Sequence, residues 1–186
     1  MLSLTELWLP ILASAVMVFV VSSIIYMVLP YHRSDHGGVP TEDELMDDLR
    51  KANLQPGEYV VPHASTPKDM AGPEYVDKMT RGPVAFITVL PSGPPSITKN
   101  LVLWFLYALL VSILAAYVAG RALGPAAQYL DIFRFTGTTA LAAYAMGVVQ
   151  QSIWYGRPWA TTLKASFDGV VYALATAGVF GWLWPI

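Results

Sequence analysis

The chain has 186 residues, of which 55% are hydrophobic and only 13% charged, about half the charged share of a typical soluble domain. A net charge of −2 excludes a generally basic nucleic-acid binder, so no nucleic-acid partner is expected. The absence of cysteine excludes disulfides, thiolate metal sites and cysteine nucleophiles.

The first element, Leu7 to Leu29, is an uncharged run of about 23 residues. At 1.5 Å per residue it makes roughly 35 Å of helix, enough to cross a bilayer. The preceding residues carry no Lys or Arg and no small-residue cleavage site follows. The run therefore reads as a span and not as a cleaved leader. Leu29-Pro30 marks its end, because proline disfavours helical geometry in the residue before it.

From Tyr31 to Asn100 the character changes, and seven of the 11 Lys and Arg and 10 of the 13 Asp and Glu fall here. Thr41 followed by Glu44 is a capping-box signature. Leu45, Leu49 and Ala52 share one face at helical spacing, with Met46 beside them. A helix is predicted over 41–52, its acidic residues early and Arg50 and Lys51 late, as the helix dipole prefers. That helix accounts for the carboxylates of Glu42 to Asp48 as a solvated face. Pro56-Gly57 is a turn and Glu58 to Pro62 a short strand. Pro73, at a first helical position, opens a second short helix to Thr80. Val84 to Leu90 is a strand that ends in the breaker run Pro91-Ser92-Gly93-Pro94-Pro95. Two strands are marginal alone, so this α/β mini-domain needs the bundle, a lipid surface or a partner to lean on.

Three more spans are predicted, at about 101–120, 135–155 and 169–184. The last is short and just adequate if flanking residues snorkel. Trp154, Tyr155 and Trp159 at one border and Trp182 and Trp184 at the other form an aromatic belt. Ala116 and Gly120, Ala143 and Gly147, and Ala173 and Ala177 place small residues on single faces, where helices approach closely in lipid. These faces serve either the chain's own helices or a partner. The expected fold is an all-α membrane bundle of four transmembrane helices, with the α/β juxtamembrane domain (31–100) inserted between helices 1 (7–29) and 2, and helices 2–4 within 101–186. Arg33, Lys99, Arg157 and Lys164 flank the domain side, against Arg121 and Arg134 on the other. This favours a cytoplasmic domain, although the short loops alone balance.

Two groups of residues could carry chemistry. His32 and His36 share a face if helix resumes after Pro30, and Asp35 and His63 could complete a ligand set for zinc or another first-row metal. Against this, Gly37-Gly38 argues for an irregular backbone, and nothing local brings His63 near. The second group is a polar border cluster of Gln150, Gln151, Arg157, Lys164 and Asp168. Lys164 and Asp168 are four apart just before the fourth span. Anchoring at the headgroups explains this cluster; a polar pocket or ion path is the alternative. No phosphate-binding glycine loop and no G-x-S-x-G elbow occurs.

The stretches YHRSDHGGVPTEDELMDDLRKANLQPGEYVVPH, IWYGRPW and DGVVYALATAGVFGWLWP resemble a group of small bacterial integral membrane proteins with no assigned activity. The resemblance covers nearly the whole chain and implies a bacterial inner membrane location and the four-span architecture, with no site residues to carry over. The expected function is a non-catalytic accessory or scaffold subunit in the bilayer, with a membrane-protein partner or a second copy of itself and no cofactor. A metal-dependent membrane enzyme at His32, Asp35, His36 and His63, and a small-molecule or ion carrier using Gln150, Gln151 and Asp168, are the alternatives.

Overall fold

The structure, a computed structural model, describes residues 2–185; Met1 and Ile186, the latter closing the expected 101–186 segment, lie outside the described residues. In chain order the elements are α1 (Trp8–Met27), a 3₁₀ turn (Pro30–Ser34), α2 (Glu42–Lys51), β1 (Gly57–Val61), α3 (Pro67–Met70), α4 (Pro73–Arg81), β2 (Ala85–Val89), α5 (Ile97–Ala122), α6 (Tyr129–Leu141), a π-helical segment (Ala142–Met146), α7 (Val149–Tyr155) and α8 (Trp159–Leu183). The chain divides into two compact units, Met1–His36 with Ser96–Ile186, and Gly37–Pro95.

The first unit holds four helices long and apolar enough to cross a membrane: Trp8–Met27, Ile97–Ala122, Tyr129–Tyr155 and Trp159–Leu183. Their number and apolarity are those of a multi-pass membrane protein. They close a ring in which α1 packs on α5 and α8, and α6 packs on the same two helices. Local chemistry sets the ends. The Ser96 hydroxyl caps α5 by accepting from the Lys99 backbone N–H at 3.3 Å. Gly156, left-handed at φ +65, stops α7.

Three of these helices start earlier than their apolar runs, and α8 differs most, beginning at Trp159 and not near Gly169. Lys164 and Asp168 are thus helical residues. The helix carries them because partners satisfy their charges, as described below. At 25 residues α8 is about 37 Å long and needs no thinned bilayer.

Small residues make close packing feasible. Ala15, Val18, Ala108, Val111, Ala140 and Ala173 belong to one buried cluster, and Leu7, Ala115, Ala116, Ala119, Ile132 and Phe180 to another. A buried hydroxyl pair, Ser14 Oγ to Ser112 Oγ at 2.7 Å, ties α1 to α5. Two of the small-residue faces pack inside the unit. A Cβ on Gly137 would stand 3.0 Å from that of Ala177, and one on Gly120 3.0 Å from the Leu2 carbonyl oxygen. The third face packs only in part, through Ala143, which lies against the first buried cluster. A Cβ on Gly147 would meet nothing within 4 Å, because Ala142–Met146 is π-helical and four-residue spacing no longer stacks on one face.

The aromatic border also needs one correction. Trp154, Tyr155, Trp159 and Trp182 are exposed, but Trp184 is only 7% exposed. Its indole N–H donates to the Gly124 carbonyl at 3.1 Å, so it is a packing residue and not a headgroup anchor.

In the second unit β1 and β2 pair antiparallel, Tyr59 opposite Ile87, with α3 and α4 between them in sequence. Pro73 opens α4 as expected from its fixed φ. The Thr41 side chain makes no capping hydrogen bond; the capping box occurs instead at Thr66 and Asp69, where both reciprocal bonds form. No residue from Gly37 to Pro95 is buried.

Candidate functional site

Helix α1 ends at Met27, and Pro30 opens the 3₁₀ turn that follows. In 3₁₀ geometry residues three apart eclipse one another, which stands His32 directly beside Asp35. His32 Nδ1 faces Asp35 Oδ2 at 2.6 Å, and its Nε2 faces Asp168 Oδ2 of α8 at 2.8 Å. Tyr26 stacks on the imidazole at 4.3 Å between ring centroids and 5° between planes, and the Tyr31 ring lies 4.2 Å away. The ring is thus held by two aromatic neighbours and by a carboxylate at each nitrogen.

Helix α8 supplies the other half. Lys164 and Asp168 are one turn apart on one face. The Lys164 ammonium donates to the Tyr31 carbonyl at 2.7 Å, to Ser34 Oγ at 2.8 Å and to Asp35 Oδ1 at 2.8 Å. That uses all three of its N–H groups. Asp168 is 2% exposed; one oxygen accepts from the Tyr31 hydroxyl and the other faces His32. Only the imidazolium form has N–H at both ring nitrogens. In that form the two carboxylates, the ammonium and the imidazole sum to no net charge, which allows the group to be buried. The Lys164 ammonium, and after it His32, holds the Asp35 carboxyl below the usual aspartate range. Burial, followed by the hydrogen bond to Asp168, holds the Tyr31 phenol above its ordinary range, so it stays a donor.

Asp168 also lines a cleft of about 620 Å³ bounded by α1, α5, the third span and α8. Tyr26, Trp104, Tyr107, Tyr144 and Tyr172 contribute its aromatic wall. Trp104 lies 5.8 Å from Tyr172 and Tyr144 lies 5.6 Å from Tyr172 by ring centroids, both edge to face, a favourable aromatic arrangement. The Trp104 indole N–H donates to Ser22 Oγ at 2.7 Å, and the Tyr107 hydroxyl to the Ala143 carbonyl at 2.9 Å. The π-helical segment lies at a close helix contact. A Cβ on Gly169 would stand 2.7 Å from the Tyr144 carbonyl carbon and 2.8 Å from Ala145 N. Glycine there lets the α8 backbone press on the third span, where the widened turn carries Tyr144 on the cleft wall.

The residues singled out from sequence are divided by the fold. His32 and Asp35 come together, joined by Lys164 and Asp168 from the border cluster. His36 is exposed, and His63 is an exposed residue of the second unit. Gln150 and Gln151 are exposed on α7, and Arg157 lies in the link to α8. Among the described residues no group of three or more His, Asp or Glu is arranged to hold a metal ion. The carboxylates engage opposite nitrogens of His32, so the three do not face a common point. Sequence reasoning missed Tyr26, Tyr31 and the cleft aromatics. Tyr144 and Tyr172 lie within spans and not at their borders, where a belt residue belongs, and that position was the available signal.

No known protein family, curated protein or solved structure matches this chain.

Proposed function

We propose that this multi-pass protein binds a small lipid-soluble molecule in the cleft between its spans. One observation carries the reading: a 620 Å³ cleft with an aromatic wall, ended by a buried, hydrogen-bonded carboxylate. Ligand sites typically occupy about 300–1,000 Å³, mostly apolar with a few fixed polar groups, and lie between the helices of bundles. Ionisable side chains held inside a membrane bundle are functional candidates in their own right. The setting is a bacterial inner membrane, as the sequence resemblance implies.

The test is to purify wild-type protein and Gly147→Phe in the same mild detergent and analyse co-purifying small molecules by mass spectrometry. Position 147 lines the cleft and a Cβ there meets nothing within 4 Å, so a ring can be added at the cleft wall without its Cβ displacing backbone. The expected result is a species held in near-stoichiometric amount by the wild type and missing from Gly147→Phe. Identical extracts would end this reading.

The second reading, an accessory subunit that docks a partner, is favoured by the unit without a core. Leu45, Met46 and Leu49 of α2 and Val76 and Met79 of α4 are all exposed. A photo-crosslinking residue at position 45 or 49 should give one protein adduct of defined mass in membranes. Adducts to lipid alone would reject it.

A further inference from the structure

The polar atoms of the cleft wall point to the kind of molecule it takes. Among the described residues, three buried side-chain atoms lack a hydrogen-bond partner: the hydroxyls of Tyr144 and Tyr172, and Thr176 Oγ1. The two tyrosines line the cleft and are 6% and 4% exposed. Buried polar groups are almost always partnered, and an orphan calls for an absent water, ion or ligand. A phenol hydroxyl both donates and accepts; an unpaired buried donor is rarer than an under-used acceptor lone pair, so the partner each hydroxyl calls for is an acceptor.

Charge narrows the class further. Among the described residues Asp168 is the only charged one lining the cleft, and both of its oxygens are engaged, by Tyr31 and His32. A cationic ligand would have to compete with His32 and Tyr31 for Asp168, and an anionic one would find no lysine or arginine among the lining residues. Burying either unpaired charge is costly. The wall of aromatic faces and edges favours a flat ring by offset stacking. Apolar side chains, Met27, Ile97, Leu101 and Val148, line it beside the neutral polar Ser22, Ser23 and Asn100, which suits a greasy tail on an uncharged head.

From these observations we infer that the cleft binds a neutral, lipid-soluble ring bearing hydrogen-bond acceptors, the chemistry of a quinone head group, with the Tyr144 and Tyr172 hydroxyls as its donors. The inference rests on the cleft being a ligand site and adds the ligand's class.

Decylubiquinone, titrated into protein in lipid nanodiscs, serves as the probe, read by quenching of tryptophan fluorescence against protein-free discs; Trp104 lies in the cleft wall. Saturable quenching is expected, abolished in Gly147→Phe. Tyr144→Phe and Tyr172→Phe should each weaken binding about two- to tenfold, the effect of one neutral hydrogen bond. Ala165→Phe, also lining the cleft, is the second blocking variant should Gly147→Phe fail to fold. Quenching that saturates equally in both Tyr→Phe variants overturns the inference, since the hydroxyls then meet only water. Saturable binding of tetrabutylammonium or decyl phosphate in place of the quinone also overturns it, while leaving the cleft a ligand site. Absence of any probe binding, together with identical wild-type and Gly147→Phe extracts, removes both readings.

Discussion

The two units of this chain handle charge in opposite ways. In the polar unit every ion pair is local and exposed: Arg50 with Asp47, Lys51 with Asp48, Lys78 with Glu74, and Arg81 with Asp77, each three or four residues apart. The membrane unit also has a local, exposed pair, Arg134 with Asp131, but it alone brings distant charges together, His32 to Asp168 across 136 residues and Lys164 to Asp35 across 129. Solvent screens the first kind, and each pair is worth little. The second kind is withdrawn from water, so each member depends on the others. The comparison teaches that charge count is a poor guide to where charge matters here. The unit with most of the Asp, Glu, Lys and Arg has no buried residue at all, and the charge-poor unit has a charged network beside its cleft.

The contrast breaks hardest at Asp168. Asp168→Ala leaves His32 and Tyr31 facing a void and should cost about 3–5 kcal/mol, the loss seen when one partner of a buried pair is removed. Denaturation by a graded detergent titration measures it. A loss no larger than that of Asp47→Ala, on the exposed face of α2, would mean that the network is not coupled. Gly169→Ala comes next. Its Cβ would fall 2.7–2.8 Å from the backbone of Tyr144 and Ala145, and overpacking of this kind costs about 1–3 kcal/mol. The same titration, with Gly178→Ala as a control because a Cβ there meets nothing within 4 Å, separates crowding from the general effect of replacing glycine.

A pH series sharpens the comparison at smaller amplitude. The Asp35 carboxyl is held below its ordinary value of 3.8, by Lys164 first and His32 second. A depressed carboxyl contributes its full stabilisation above the unfolded value and loses it as pH falls through the folded one. The stability difference between wild type and Asp35→Asn should therefore stay level from pH 6 to about pH 4 and shrink only below 3.8. A difference already closing at pH 5 would contradict the Lys164 and His32 contacts. The smallest effect belongs to the exposed pairs. Lys78→Gln should leave the melting of the protein indistinguishable from wild type, since its partner lies on an exposed helix face.

Much of this architecture was legible locally. The long uncharged runs announce helices that cross a membrane, because apolarity and a rise of 1.5 Å per residue are properties of the segment alone. The Pro30 break and the Pro73 helix start follow from a fixed φ. The α8 start was misjudged because Lys164 and Asp168 look like residues that end an apolar run, and only their partners make them helical interior. His32 and Asp35 were visible as a pair, yet their partners Lys164 and Asp168 were not, since those lie 129 and 136 residues away and residue type alone pointed to His36 and His63 instead.

Segment chemistry by itself determined that the chain has four apolar helices and a charged insert, because transfer between water and lipid is decided residue by residue. Tertiary packing alone decided that Asp168 meets His32, that Gly169 presses on a π-helical turn, and that Tyr144 and Tyr172 share one cleft with their hydroxyls unpartnered. Those outcomes depend on the mutual rotation of helices far apart in sequence, and no local preference encodes that angle.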